Sequence, residues 1–189
     1  MKKILIIGMN YIGDTIFITP LIRAIKKHYK DCIIDIVNGK RGIDILKENP
    51  HINKIIIREE NTLENLLEKL KKENYDIGFA ATTAFYGASI LYKAKIPIRA
   101  GVSSELRGIF LNKKTSWKKH KRHIVDTILS ILKPMNIETD GIKTELFLTE
   151  EENNFGIEKM KNYKNCLLVH GGATRISKRY DAENFAELI

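Results

Sequence analysis

Two glycine-bearing turns hold the residues of this 189-residue chain best suited to chemistry. The first, Gly8-Met9-Asn10-Tyr11-Ile12-Gly13-Asp14-Thr15, follows the apolar run Ile4-Leu5-Ile6-Ile7. Gly, four residues, Gly and Thr fit the frame of a phosphate-binding P-loop. The lysine position, however, holds Asp14, which would repel the β/γ-phosphates. The dinucleotide fingerprint fails too, because Asn10 stands where its second glycine belongs. An acid on a tight turn suits removal of a proton from a substrate hydroxyl. It also suits the capping of a helix N-terminus, and spacing alone leaves both readings open. The second turn, Gly171 to Lys178, follows Cys166-Leu-Leu-Val-His170 and carries Thr174, Arg175 and Lys178, with Arg179 next. Backbone N–H groups at a helix start, with a lysine and a hydroxyl, suit a pyrophosphate. A solvated surface lysine is the plain alternative. A proton acceptor on one turn and a diphosphate binder on the other describe group transfer from a nucleotide-activated donor.

A third candidate is the basic segment Lys113 to His123, with six Lys/Arg and two His in eleven residues. The whole chain carries a formal charge of +9, which favours acidic partners: nucleic acid, an anionic membrane face or phosphorylated substrates. Nucleic acid is not expected, since Trp117 is the only aromatic interleaved with those cations and offers little base-stacking platform. Nor is a metal: His120 and His123 precede Asp126 without a Cys or acid cluster, and no Asp-x-Asp occurs. No cofactor is expected. Cys32 and Cys166 sit in apolar runs and read as small buried hydrophobes of a reducing cytoplasm. The N-terminus lacks a signal-peptide pattern, and no apolar run has the length of a membrane span.

The elements that would position these residues alternate. Strand-like runs are expected at 3–8, 32–37, 53–59, 76–81 and 98–103, with helical patterns at 15–29, 41–48, 61–73, 85–95 and 123–135. Pro20 either kinks the first helix or opens a regular segment capped by Thr19. Such alternation argues an α/β fold with a parallel sheet covered on both faces, whose ligand crevice lies beyond the carboxyl ends of its strands. Asp14 falls there. A short strand near 144–149 and a charged helix form a connector, after which a fresh strand, 166–170, leads through the second turn into a helix that stops without a cap. The chain therefore reads as one domain plus the start of another, a piece of a longer protein.

Several blocks carry a resemblance. Ile-Ile-Gly-Met-Asn-Tyr-Ile-Gly-Asp-Thr-Ile followed by Thr-Pro-Leu-Ile-Arg-Ala-Ile resembles the opening of the glycosyltransferase family 9 heptosyltransferases, which add ADP-heptose to the lipopolysaccharide inner core. NPHINKII, YDIGFAATTAFYGASILYKAKIPIRAG, HIVDTILSIL and VHGGATRISKRYDAENFAELI resemble, in order, four later blocks of that family. The chain departs from the family at Gly8 (commonly Arg), at Gly172 (commonly Pro) and at Tyr180 (commonly Trp).

The resemblance implies a two-domain GT-B fold, an inverting mechanism and a role in lipopolysaccharide biosynthesis. It would divide the chain into a Rossmann-like acceptor-binding domain (1–150), a connector (151–165) and the first part of a second Rossmann-like, nucleotide-sugar domain (166–189). Asp14 would be the catalytic base, and Thr174 and Lys178 would hold the donor's diphosphate, a lysine serving as clamp on the leaving group. Gly13, Arg99, Lys118, Lys119, Lys121 and Arg122 would meet an anionic, lipid-linked glycan acceptor, with peripheral contact at the cytoplasmic face of the inner membrane. The alternative is a non-catalytic basic α/β domain that binds a glycan or nucleic acid.

Overall fold

The structure is a computed structural model that describes residues 1–82, 84–103, 105–116, 123–173 and 176–188. It divides into two compact units, Met1–Leu148 and Thr149–Ile189.

The first unit is built on a six-stranded parallel sheet: β1 (Lys3–Ile7), β2 (Ile33–Asn38), β3 (Lys54–Ile57), β4 (Ile77–Ala80), β5 (Ile98–Ser103) and β6 (Lys113–Ser116). Their order across the sheet is β3-β2-β1-β4-β5-β6. This is the Rossmann-like order, in which the chain reverses direction of winding between β1 and β4. Ile4 to Ile7 are all buried because both faces are covered, as the unbroken apolar run requires. Ile4 and Ile6 join a core with α2 (Thr19–His28) and α5 (Ile124–Leu129), through Leu21, Ile25, Val125 and Ile128. Leu5 and Ile7 face the other way, toward α3 (Leu63–Lys72) and α4 (Phe85–Lys93), through Leu66, Leu70 and Leu91. Thr62 caps α3 by accepting from the Asn65 N–H at 3.3 Å, as its place before the leucine face suggests.

Four expectations need correction within this unit. The helix expected over 15–29 is two helices, α1 (Ile12–Ile16) and α2 (Thr19–His28); Pro20 sits in the first turn of α2, where its missing N–H costs nothing, but the cap is Ile18 rather than Thr19. Lys113–Ser116, expected only as the start of the basic segment and not as a strand, is the edge strand β6, its backbone paired with Ala100–Ser103. A lysine-rich strand is tolerated there because an edge exposes side chains to water. The helix expected over 123–135 is α-helical only to Leu129 and continues as a 3-10 segment, Ser130–Met135, that accommodates Pro134. No strand forms at 144–148, because its polar groups are taken elsewhere. The Glu145 N–H donates to Thr19 Oγ1 at 2.9 Å, and Arg23 donates to the Lys143 carbonyl.

The second unit contains α6 (Glu150–Met160), a 3-10 turn (Ile176–Lys178) and α7 (Ala182–Leu188). α6 opens on a capping box. Thr149 Oγ1 accepts from the Glu152 N–H, and the Glu152 carboxylate accepts from the Thr149 N–H. The expected strand at 166–170 is absent: no strand occurs among the described residues of this unit, so Cys166–His170 has no neighbour to pair its backbone with. Leu167 and Leu168 are exposed, and Cys166 is exposed rather than buried.

Candidate active site

Asp14 lies where the sheet's topology puts a crevice. β1 and β4 are neighbours at the switch of winding, and their carboxyl ends lead into Gly8–Asp14 and Ala81–Thr82. A cavity of about 240 Å³ opens between them, lined by Met9, Asn10, Tyr11, Asp14, Arg58, Thr82, Ala84, Tyr86 and Ile124. Asp14 is the third residue of α1, whose cap is Tyr11, and no side chain caps that helix. Asp14 is therefore not the cap. An acid in a helix's first turn is favoured by the dipole, yet its carboxylate has no hydrogen-bond or ion-pair partner among the described residues. A half-buried, unpartnered carboxylate on a cavity wall is able to accept a proton from a hydroxyl placed beside it.

The turn under Asp14 is fixed by a buried side-chain amide. Asn38, at the end of β2, accepts from the Met9 N–H at 3.0 Å and donates to Thr15 Oγ1 at 3.3 Å and to the Gly39 carbonyl at 3.1 Å. One amide thus ties both ends of the segment that carries Asp14. Gly8 is required by this arrangement, since a Cβ there would collide with Asn38 Oδ1. On the other side, the Tyr86 hydroxyl donates to the Gly8 carbonyl at 2.9 Å. Burial, foremost, raises the Tyr86 hydroxyl's pKa and keeps it a donor.

Arg58 follows the carboxyl end of β3 and brings a cation to the same cavity. Its guanidinium lies 5.2 Å from the centre of the Tyr86 ring and pairs with Glu59 at 2.5 Å. Burial by itself would raise the Glu59 carboxyl. The Lys40 N–H, Glu59's own N–H and the Arg58 guanidinium outweigh it and hold the pKa below the usual carboxylate range. A second cavity of about 400 Å³, lined by Asn10, Tyr11, Lys40, Arg41 and Glu59, shares Asn10 and Tyr11 with the first.

The remaining candidates are scattered. Gly13 is next to Asp14 with open space around it: a Cβ there would meet nothing within 4 Å. Arg99 does not reach the cavity. It is the second residue of β5, and its guanidinium donates to the carbonyls of Ile96, Pro97 and Phe110 while lying over Tyr92. Lys118, Lys119, Lys121, Arg122 and Thr174 lie outside the described residues. His123 caps α5 through Nδ1 and meets Phe17 edge-on, a structural role. Lys178 belongs to the second unit, exposed on its 3-10 turn, where Arg179 closes the loop by donating to the Ala173 carbonyl at 2.9 Å. Among the described residues no group of His, Cys, Asp and Glu could hold a metal ion. No helix among them is long and apolar enough to cross a membrane.

Sequence reasoning passed over Arg58, Asn38 and Tyr86. Arg58 and Asn38 had a usable signal: each stands at or just after the carboxyl end of a parallel strand, the rim on which such sheets mount their sites.

Residues 63–189 match glycosyltransferase family 9 (heptosyltransferase). The chain belongs to that family. Lipopolysaccharide heptosyltransferase 3 of Escherichia coli K12 is 27% identical over 204 residues, covering 96% of this family 9 chain and 57% of the relative. Lipopolysaccharide heptosyltransferase 2 of Salmonella typhimurium is 30% identical over 117 residues, 58% of this chain and 34% of the relative. The family 9 chain thus spans roughly a third to three fifths of these relatives. The fold agrees with solved structures. An ADP-heptose lipopolysaccharide heptosyltransferase II of E. coli matches with a TM-score of 0.76 at 23% identity, over 100% of this chain and 60% of that one. A family 9 glycosyltransferase of Veillonella parvula matches with a TM-score of 0.77 at 22% identity, over 99% and 58%. These neighbours carry the GT-B fold, and the family 9 chain accounts for part of it.

Proposed function

We propose that the protein transfers a sugar, heptose from ADP-heptose, to a hydroxyl of a lipopolysaccharide core acceptor with inversion. The observation that carries this reading is the unpartnered Asp14 carboxylate on a cavity at the switch point of a family 9 chain. In the reaction the acceptor oxygen bonds to the anomeric carbon and gives its proton to Asp14. The bond from that carbon to the diphosphate breaks, and ADP leaves with the electron pair. Asp14 sits on the first unit, which serves as the acceptor domain. Lys178 and Thr174 serve the departing diphosphate, Lys178 by charge.

Two further features support an acidic glycan as acceptor. Arg58 brings a positive charge to the Asp14 cavity. Gly13, beside Asp14, has open space where a Cβ would stand and so leaves room for a substrate there. The protein would work at the cytoplasmic face of the inner membrane, where a lipid-linked acceptor is held.

Asp14→Asn in the full-length protein is the test. Asn keeps the size of Asp but cannot take the acceptor's proton, so transfer should fall by about 10²–10⁴-fold with the melting temperature and substrate binding preserved. Retention of more than about a tenth of the rate at neutral pH would remove Asp14 from the chemistry.

A further inference from the structure

One flank of the first unit is apolar and basic at once. It consists of α4, the 3-10 segment Glu105–Phe110 and the edge strand β6. Phe110 is its centre, with its ring 5.3 Å from that of Phe85 and 5.3 Å from that of Tyr92. Around it Phe85 and Tyr92 are about half exposed, and Leu106 and Ile109 are 71% and 68% exposed. Leu106 and Ile109 are three residues apart on a 3-10 segment, which puts them one above the other on the same side. Charge in this stretch is nearly of one sign: between Phe85 and Ser116 the sequence has Lys93, Lys95, Arg99, Arg107, Lys113 and Lys114 against Glu105 alone. The opposite face of the sheet differs. There Arg23 pairs with Asp140 and Glu145, and Lys27 lies near Asp140.

Exposed aliphatic side chains in a stretch whose charges are nearly all positive match an anionic lipid surface, where the apolar groups enter the interfacial layer and the cations meet headgroup phosphates. Nucleic acid fits this flank poorly. Leu106 and Ile109 cannot stack on bases, and the rings of Phe85 and Tyr92 are already engaged with Phe110. We propose that this flank docks the protein on an anionic bilayer, with Leu106 and Ile109 inserted and the lysines of α4 and β6 on the headgroups. The 3-10 segment starts just beyond the carboxyl end of β5, the end of the sheet at which the Asp14 cavity opens. Docking there holds that rim near the membrane. The inference rests on the proposed function only in supplying the route to a lipid-linked acceptor.

Its test needs no turnover. The full chain is sedimented with vesicles of phosphatidylcholine alone or with about 30% phosphatidylglycerol, at low and high salt. Binding should favour the anionic vesicles by about tenfold or more and weaken with salt. The double substitution Leu106→Glu/Ile109→Glu should reduce partitioning by about tenfold or more, with circular dichroism and melting unchanged. Ile142→Glu/Leu146→Glu makes the same charge change at exposed apolar positions of the opposite face and should leave binding within about twofold of wild type. Equal loss in both variants, no loss in the first, or binding of an oligonucleotide in place of vesicles overturns the docking surface. Asp14→Asn should sediment like wild type, so failure of the base assignment and failure of the docking surface are separately visible.

Discussion

The turn after β1 and the turn after Cys166–His170 share a vocabulary of glycine, hydroxyl and charge, yet they are held in different ways. The first is fastened from three directions: the Gly8 N–H donates to the Val37 carbonyl of β2, Asn38 binds Met9 and Thr15, and Tyr86 binds the Gly8 carbonyl. The second, among the described residues, is closed locally. Arg179 donates to Ala173 and to Ile176, and the Phe185 ring rests on Gly171. A glycine turn acquires fixed geometry when neighbouring strands and helices satisfy its backbone. Without them, the same letters make a local loop. The two turns also divide their chemistry by charge, an acid on the fastened one and a cation on the self-closed one. In the proposed reaction that division places the proton acceptor on the turn that neighbouring elements hold, where its distance to one hydroxyl is defined.

The comparison is most sharply exposed by amide hydrogen exchange. Amides of Ile4 to Ile7 should exchange at least about 10⁴-fold more slowly than those of Leu167 to Val169, which have no sheet partner. Equal protection would mean that the second turn is anchored after all. Next in size is Lys178→Ala in the full-length protein. Loss of a charge on the leaving diphosphate should cost about 2–4 kcal/mol in the transition state and fall on kcat at least as much as on KM. An exposed lysine contributes little to the fold, so the melting temperature should not move. A pure KM effect would restrict Lys178 to binding the ground state.

Asn38→Ala removes a fastening rather than a reacting group. It leaves the Met9 N–H without its partner in a buried setting, so stability should drop by about 2–3 kcal/mol. Because Asp14 loses its support, kcat should also fall by about tenfold while KM for the donor stays put. The smallest effect is expected of Tyr86→Phe, which keeps the ring under Arg58 and deletes one hydrogen bond. Thermal or denaturant melts should register about 0.5–1.5 kcal/mol. A larger loss would mean that the Tyr86 hydroxyl holds more than the Gly8 carbonyl.

Much of this was legible from the chain. Apolar runs bounded by turns located β1 to β5, and strand–helix alternation pointed to the parallel sheet and to Asp14 at its carboxyl rim. β6 escaped because Lys-Lys-Thr-Ser has no apolar alternation; it is an edge strand, defined by the backbone of β5 rather than by burial. Cys-Leu-Leu-Val-His misled for the converse reason, having a strand's composition but no strand to pair with among the described residues of its unit. The spacing put Asp14 at a helix start, but only the backbone distinguishes a cap from the third residue of a helix, and the difference decides whether its carboxylate is occupied. The cluster of Arg58, Glu59 and Tyr86 draws on β3 and α4, so it becomes visible only after the sheet is wound.

The close fit between Gly8 and Asn38 bears on how this site can change over generations. Position 8 accepts a side chain only if position 38 first gives up its amide, since the two would occupy the same space. Asn38 in turn cannot shrink without releasing Met9 and Thr15. Neither residue has an easy single-step exit, and the two behave as one heritable character. A variant of this chain with a long side chain at position 8 would need a different residue at position 38 as well. Grafting Gly8→Arg alone into this chain should unfasten the turn, whereas a paired exchange at 8 and 38 should recover it.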